Sequence, residues 1–305
     1  MTEQAGLIGL SGDVIRPYGE LDVLPYYGRI AEKLTGFLHG RELASRIWTP
    51  HGRIRSVVVT GQTAPPLYIR QMSEAVTPQI IRAREQYSNL DEVRGRLSPE
   101  QQLVWQYFPQ RRYIGFYYSL NRIGPAREID RVVFQIERSF GSTLAEALEA
   151  AQEFIRAAVS DTGYQELFRR EPFVYWTGSS FQVMLFTREV QPATFYRSHL
   201  ECTGKGRTMA DLWTDLATAS TGSKIVGGTG RRKGAVLINS EPTLPGKLCP
   251  VPLGCLDMAD GTTLRGVSVP LTGDMLSSDI LDDLTAYTPE RIVEELDKLA
   301  ARLPV

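Results

Sequence analysis

The sequence predicts an α/β (α+β) fold in which a mixed, largely antiparallel sheet is flanked by helices. Strand and helix patterns follow one another irregularly, without the repeated βαβ units of a parallel sheet. An alternating strand pattern at 130–138 leads directly into an amphipathic helix pattern at 144–159. Two apolar runs, 173–176 and 181–186, enclose a Thr-Gly-Ser-Ser turn. No low-complexity linker or internal repeat divides the chain, so we predict a single domain over 1–305.

The N-terminal part of the chain carries a helix pattern followed by strand patterns. Apolar residues recur at helical spacing over 21–39, and Gly40 marks the end of that helix. Strands are predicted at 44–48, 55–60 and 113–119, and the last of these is rich in aromatic residues.

The strand at 130–138 has the most regular alternation in the sequence. Val132, Phe134 and Ile136 face one side of it, while Gln135 and Glu137 face the other side. We therefore expect one apolar face and one face that carries polar groups.

The helix at 144–159 follows this strand at once. Thr143 and Glu146 form a capping box at its start, and Gly163 is predicted to end it.

The C-terminal part adds three further elements. A short helix is predicted at 209–219 and a strand at 234–239. A last helix is predicted over 288–303, with Thr288 as its cap and Pro289 in its first position.

Composition and charge exclude several classes of protein. The chain has 305 residues, of which 42% are apolar and 23% charged, as in ordinary globular proteins. No apolar run reaches the length of a membrane span, and residues 1–12 lack the features of a signal peptide, so we expect a cytoplasmic protein. The three cysteines and three histidines are too few and too scattered for a disulfide framework or a zinc site. A net charge of −1 does not favour a dedicated non-specific DNA binder, although a local basic patch is compatible with it.

Several segments nevertheless resemble, in order, the polymerase domain of bacterial ligase D, a branch of the primase-polymerase superfamily. The segments that carry the resemblance are 13–17, 22–41, 67–72, 131–137, 176–180, 232–239 and 288–303. Each motif is short, but their order and spacing cover most of the chain. The resemblance implies the primase-polymerase fold and a DNA-repair or replication role such as non-homologous end joining. It also implies nucleotides or DNA or RNA ends as partners, with repair or replication proteins as further partners.

The resemblance also implies a nucleotide-binding set. Tyr68 takes the place of the aromatic that stacks on the incoming base, and Arg70 takes the place of a lysine. Ser179 lies in the turn that resembles the family's phosphate-holding turn. Arg232 and Lys247 fall at the family's basic positions before and after the last active-site strand.

The family's three metal-binding carboxylates are mostly replaced. Gln135 stands at the first position, Glu137 at the second and Asn239 at the third. Nucleotidyl transfer by two Mg²⁺ or Mn²⁺ ions requires anionic oxygen ligands, and amides supply oxygen without charge. We therefore expect a pseudoenzyme of nucleotidyltransferase ancestry, whose only carboxylate for a metal is Glu137.

Each of these positions also has a structural interpretation. Glu137 can be a solvated carboxylate, and Gln135 and Asn239 can be buried amides that bond to each other on neighbouring strands. Tyr68 can belong to the core, and Arg232 can belong to a solvated basic turn.

Three functional hypotheses follow from the sequence. The first is a binding module for nucleotide or nucleic-acid ends. The second is an active metal-dependent nucleotidyltransferase, in which Asp130 or Glu241 lends charge to Glu137. The third is a structural or protein-interaction module whose cleft is filled by large side chains such as Phe181.

Overall fold

A computed structural model describes residues 22–49, 55–121, 128–169, 171–206, 208–230, 232–254, 256–258 and 264–304. The motif at 13–17 lies outside these residues. Among the described residues, no helix is both long and apolar enough to traverse a lipid bilayer.

The described chain contains ten α-helices and twelve strands. The helices are α1 (Leu24–Leu34), α2 (Ile69–Ala75), α3 (Pro78–Gln86), α4 (Pro99–Tyr107), α5 (Leu144–Ser160), α6 (Thr162–Leu167), α7 (Met209–Ser220), α8 (Ile280–Thr285), α9 (Pro289–Glu294) and α10 (Leu296–Ala300). The strands are β1 (Leu43–Trp48), β2 (Ser56–Val59), β3 (Ile114–Ser119), β4 (Ile129–Arg138), β5 (Phe173–Trp176), β6 (Phe181–Gln191), β7 (Ile225–Gly227), β8 (Val236–Asn239), β9 (Leu248–Pro250), β10 (Leu256–Met258), β11 (Leu264–Val267) and β12 (Val269–Leu271). The α/β class with largely antiparallel sheets is thus confirmed.

Contacts group the chain into two compact units. The first contains the described parts of 1–118, 250–268 and 287–305, and the second contains 119–249 and 269–286. The single domain over 1–305 stays a prediction.

The first unit contains the antiparallel run β2-β1-β3 and an aromatic core. The Tyr27 ring lies 5.2 Å from that of Phe116 and 5.6 Å from that of Phe108. Arg84 is buried among these elements, where it pairs with Asp22 and donates to the Phe108 carbonyl at 2.5 Å. Its charge is therefore fully accommodated inside the unit.

The second unit is built on a six-stranded sheet in the order β12-β5-β6-β4-β8-β7. All neighbours are antiparallel except β7 and β8, which run parallel. One face of β4 packs on α5 and α7, where the Phe134 ring lies 4.8 Å from Phe154 and 6.2 Å from Trp213. This is the apolar face expected from the alternation, and the opposite face carries Gln135 and Glu137.

Three predicted helix boundaries are wrong. Gly40 does not mark the end of the first helix, because α1 closes at Leu34 and Gly40 takes φ +68° in the turn that follows. Gly163 does not end α5, because the helix closes at Ser160 and Gly163 lies inside α6, where its N–H bonds to Asp161 Oδ1 at 2.9 Å. The last helix is not continuous, since Glu295 leaves helical geometry (φ −98°, ψ 13°) and separates α9 from α10. The Glu295 carboxylate accepts hydrogen bonds from Arg291 Nε at 2.8 Å and from the Tyr287 hydroxyl at 3.1 Å.

Candidate functional site

A row of three amide side chains crosses the sheet of the second unit. Gln182 on β6, Gln135 on β4 and Asn239 on β8 are direct partners in the antiparallel register. Direct partners project from the same face, with Cβ atoms about 5 Å apart. The structure therefore brings together Gln135 and Asn239, as the sequence predicted, and adds Gln182.

Gln182 was missed by the sequence analysis, although it is a lone polar residue in an otherwise apolar run. It is buried (1% exposed), and its Oε1 accepts a hydrogen bond from the hydroxyl of Tyr175, which is fully buried on β5. This bond satisfies one amide oxygen inside the sheet.

Asn239 ends β8 and is bonded to its own chain. Its Oδ1 accepts from the Glu241 N–H at 2.9 Å, which forms a tight turn after the strand. Gln135 is half-buried, and no side-chain bond joins it to Asn239. The interpretation that Gln135 and Asn239 are buried amides bonded to each other is thus wrong, because the Asn239 Oδ1 atom bonds to the turn after β8 instead.

Glu137 lies two residues beyond Gln135 on the same face of β4, opposite Leu237 and half-buried. The other carboxylate beside Asn239 belongs to Glu241, and it pairs with Lys247 Nζ at 2.5 Å. Among the described residues, no group of three His, Cys, Asp or Glu side chains lies close enough to hold a metal ion. Two neutral amides and one carboxylate do not fit the two divalent ions that the resemblance implies, since such ions need charged oxygen ligands.

The Thr177–Ser180 turn joins β5 to β6 as a hairpin. Gly178 adopts φ +98°, a conformation that favours glycine, and the Thr177 N–H donates to the Ser180 carbonyl at 2.8 Å. The Ser180 hydroxyl donates to the Ile136 carbonyl of β4. Ser179 is half-buried, and its carbonyl accepts from Arg138 Nε at 3.2 Å. Of the two serines, the Ser180 hydroxyl is committed to the fold.

The basic positions of the second unit differ in their surroundings. Arg232 is exposed at the entry to β8, whereas Lys247 is held by Glu241 and about half of its side chain is exposed (50%). Gly227, which precedes Arg232, has a packing role, because a Cβ on it would lie 2.8 Å from Cys202 Sγ and 2.9 Å from the Gly204 nitrogen.

Tyr68 and Arg70 lie at the start of α2, in the first unit. Tyr68 is half-buried, and its N–H donates to Gln71 Oε1 at 3.0 Å. Arg70 is exposed and pairs with Glu74 at 2.9 Å, a contact that raises the pKa of the guanidinium. An exposed pair of this kind is weak and leaves Arg70 accessible.

A second polar cluster begins at Ser240, the residue after Asn239, and the sequence analysis also missed it. The Ser240 hydroxyl accepts from the Cys202 N–H at 3.0 Å and contacts the Tyr196 hydroxyl at 3.2 Å. Burial raises the pKa of Tyr196 to about 12, so this phenol stays protonated near neutral pH. The cluster fixes the chain as it leaves β8.

Phe181, proposed as a side chain that fills the cleft, belongs to the core. It is 1% exposed, and its ring lies 5.3 Å from that of Trp176 in an edge-on contact. This burial is what ordinary packing requires.

Comparison with known proteins gives a fold neighbour. No known family model and no curated protein sequence matches the chain. Among solved structures, it is similar to the polymerase domain from Mycobacterium tuberculosis ligase D in complex with DNA. The TM-score is 0.56 and the identity 16%, over 96% of this chain and 97% of that one. This likeness shows that the chain has the fold of a polymerase domain.

Proposed function

We propose that this protein is a binding module of primase-polymerase fold, which holds nucleotides or nucleic-acid ends in DNA repair or replication without catalysing nucleotidyl transfer. The observation that carries the proposal is the direct pairing of Gln135 with Asn239. Two of the three positions that the resemblance assigns to metal-binding carboxylates carry neutral amides, in a fold like that of a polymerase domain.

Charge is the physical reason for the loss of catalysis. A pair of divalent ions about 3.5–4 Å apart repel each other unless anionic ligands offset their charge. Glu137 supplies one negative charge, and the Glu241 charge is already offset by Lys247. The neutral amides add no negative charge. The two metal ions that drive phosphoryl transfer therefore lack the anionic ligands that they need here.

The binding half of the proposal rests on retained basic and hydroxyl groups. Arg232 and Arg138 are exposed beside the end of β4, and Ser179 lies in the adjoining hairpin. Arginine guanidinium groups bind phosphate through paired hydrogen bonds without a metal.

The alternative of an active enzyme with a rearranged metal site has less support. Asp130 lies five residues before Gln135 on β4, which places it about 16 Å away along the strand. Glu241 is the nearer carboxylate, but its ion pair with Lys247 competes with a metal.

Titration of nucleotides and of labelled oligonucleotide ends tests the proposal, in buffers with Mg²⁺, Mn²⁺ or EDTA. We expect binding that is unchanged by EDTA, weakens with salt and is equal in the wild type and Glu137→Ala, together with no extension of a primer. Metal-dependent binding that is lost in Glu137→Ala, or primer extension by the wild type, would contradict the proposal. Arg232→Ala is expected to weaken binding at low salt.

A further inference from the structure

Phe140 is the most exposed of the large apolar side chains described. Its exposed fraction is 85%, compared with 56% for Val190 and 51% for Leu212. Burial of a phenylalanine side chain is favourable, so a ring that is mostly exposed contributes little of this stabilisation to the fold.

The ring stands on an ordered turn between β4 and α5. The Phe140 carbonyl accepts from the Gly234 N–H at 2.8 Å, and the Ser139 N–H donates to the Ala235 carbonyl at 3.0 Å. Gly141 then takes φ +90°, which lets the chain turn into α5. Because the backbone is bonded on both sides, the exposed ring is presented at a fixed place.

One cationic side chain lies over this ring, and two more belong to the end of β4 and to the segment before β8 that bonds to its turn. Lys233 Nζ lies 6.0 Å from the centroid of the Phe140 ring, and Arg232 is its exposed neighbour in the chain. Arg138 is exposed at the end of the same strand. Among the residues that the structure describes, neither Arg232 nor Lys233 forms an ion pair with a carboxylate, so their charges are available to a ligand.

We propose that Phe140, Lys233 and Arg232 form a stacking platform for an unpaired base of a single-stranded nucleic-acid segment. This inference rests on the proposed function and names the form of nucleic acid that it binds. An exposed aromatic face flanked by cations is the arrangement that proteins use to stack bases while neutralising the backbone.

The need for a free base face favours a single strand over a duplex as the ligand of the platform. Arg138 lies three residues beyond Gln135, about 10 Å along β4, and Phe140 follows it in the turn beyond the end of the strand. A base within a duplex already stacks on its neighbours and offers no free face to Phe140. An overhang or single-stranded end offers both free bases and phosphates.

The test is fluorescence anisotropy at fixed low salt, with the wild type, Phe140→Ala and Phe140→Tyr. The probes are a labelled oligothymidylate, the same length of abasic backbone, and a blunt duplex. Loss of the ring is expected to weaken oligothymidylate binding about 5- to 150-fold and to leave abasic binding unchanged, since stacking on an aromatic is worth about 1–3 kcal/mol per base. Phe140→Tyr keeps an aromatic face and is expected to bind like the wild type.

Val190→Ala is the matched control, because it also removes an exposed apolar side chain from the second unit. Equal thermal unfolding of Phe140→Ala and the wild type excludes a folding defect. If Phe140→Ala and the wild type bind oligothymidylate equally, the platform is overturned and the proposed function stands. The same conclusion follows if Phe140→Ala loses as much affinity for the abasic probe as for oligothymidylate. Absence of binding by the wild type to every oligonucleotide overturns the platform together with the nucleic-acid part of the proposed function, whereas nucleotide titration tests the remainder.

Discussion

Gln135 on β4 and Asn239 on β8 stand directly opposite each other, so their side chains project from one face of the sheet about 5 Å apart. Asn239 is bonded to the Glu241 N–H through Oδ1, which an aspartate oxygen can replace. Introducing carboxylates at these two positions therefore tests whether the amides prevent metal ions from binding at this site.

Replacement of the pair by Gln135→Asp and Asn239→Asp together is expected to create a metal site with Glu137. Without metal, two carboxylates facing each other repel, so the double variant should unfold at a lower temperature than the wild type. Mn²⁺ should then stabilise the variant by about 3 kcal/mol at a hundredfold excess over its Kd, and leave the wild type unchanged. Thermal unfolding with Mn²⁺ and with EDTA measures this. Gln135→Asn is the control, and equal stabilisation of the wild type would contradict the prediction.

Thr243 is expected to be a large contributor to the stability of the sheet. It is fully buried, and its hydroxyl accepts from the Val133 N–H at 3.0 Å and donates to the Val133 carbonyl at 3.2 Å. Thr243→Val leaves both backbone groups without a partner, at a cost of about 2–4 kcal/mol in the free energy of unfolding. Urea denaturation of the variant and the wild type measures this difference in the free energy of unfolding. Thr243→Ser keeps the hydroxyl, so a loss as large as that of Thr243→Val would show that packing, not hydrogen bonding, is responsible.

Asp211 is expected to hold the 203–206 loop against α7. It is fully buried, and its carboxylate accepts from the Thr203 N–H at 2.7 Å, the Gly204 N–H at 2.7 Å and the Thr203 hydroxyl at 2.8 Å. Asp211→Ala removes both acceptor oxygens, and with them all three hydrogen bonds, and should cost about 3 kcal/mol or more. Hydrogen exchange should show faster exchange at the Thr203 and Gly204 amides. Asp211→Asn retains one acceptor and should lose less, and unchanged exchange in both variants would refute this role.

Thiol reactivity gives a prediction that depends on pH. Burial raises the pKa of Cys202 to about 11 and also raises the pKa of Cys249. At pH 8 both thiols should therefore stay protonated and unreactive in the folded chain, because the thiolate is the nucleophile. Since the folded pKa lies above the unfolded one, stability is complete below about pH 8.5 and falls as pH rises toward 11. Labelling in a Cys255→Ser background, with and without urea, tests this, and rapid labelling of the folded chain at pH 8 would disprove it.

The sequence by itself determined the elements whose signals lie within a few residues. The alternation of Phe134 and Ile136 with Gln135 and Glu137 fixed β4 and its two faces. The Thr143–Glu146 capping box fixed the start of α5, because both partners lie in one helical turn. The pairing of Gln135 with Asn239 was also anticipated, though through a resemblance in motif order.

Only the tertiary structure decided the groups that meet across the sheet and the turns. Gln182 joins the amide row because β6 pairs with β4 in one register, and a shift by one residue would place it on the other face. Glu295 departs from helical geometry although the apolar spacing of Ile292, Leu296 and Leu299 continues across it, so the periodicity does not predict the break. Contacts across strands and turns depend on strand register and loop geometry, which involve distant parts of the chain. Local periodicity does not encode them, because it reports only the neighbours within a few residues of each position.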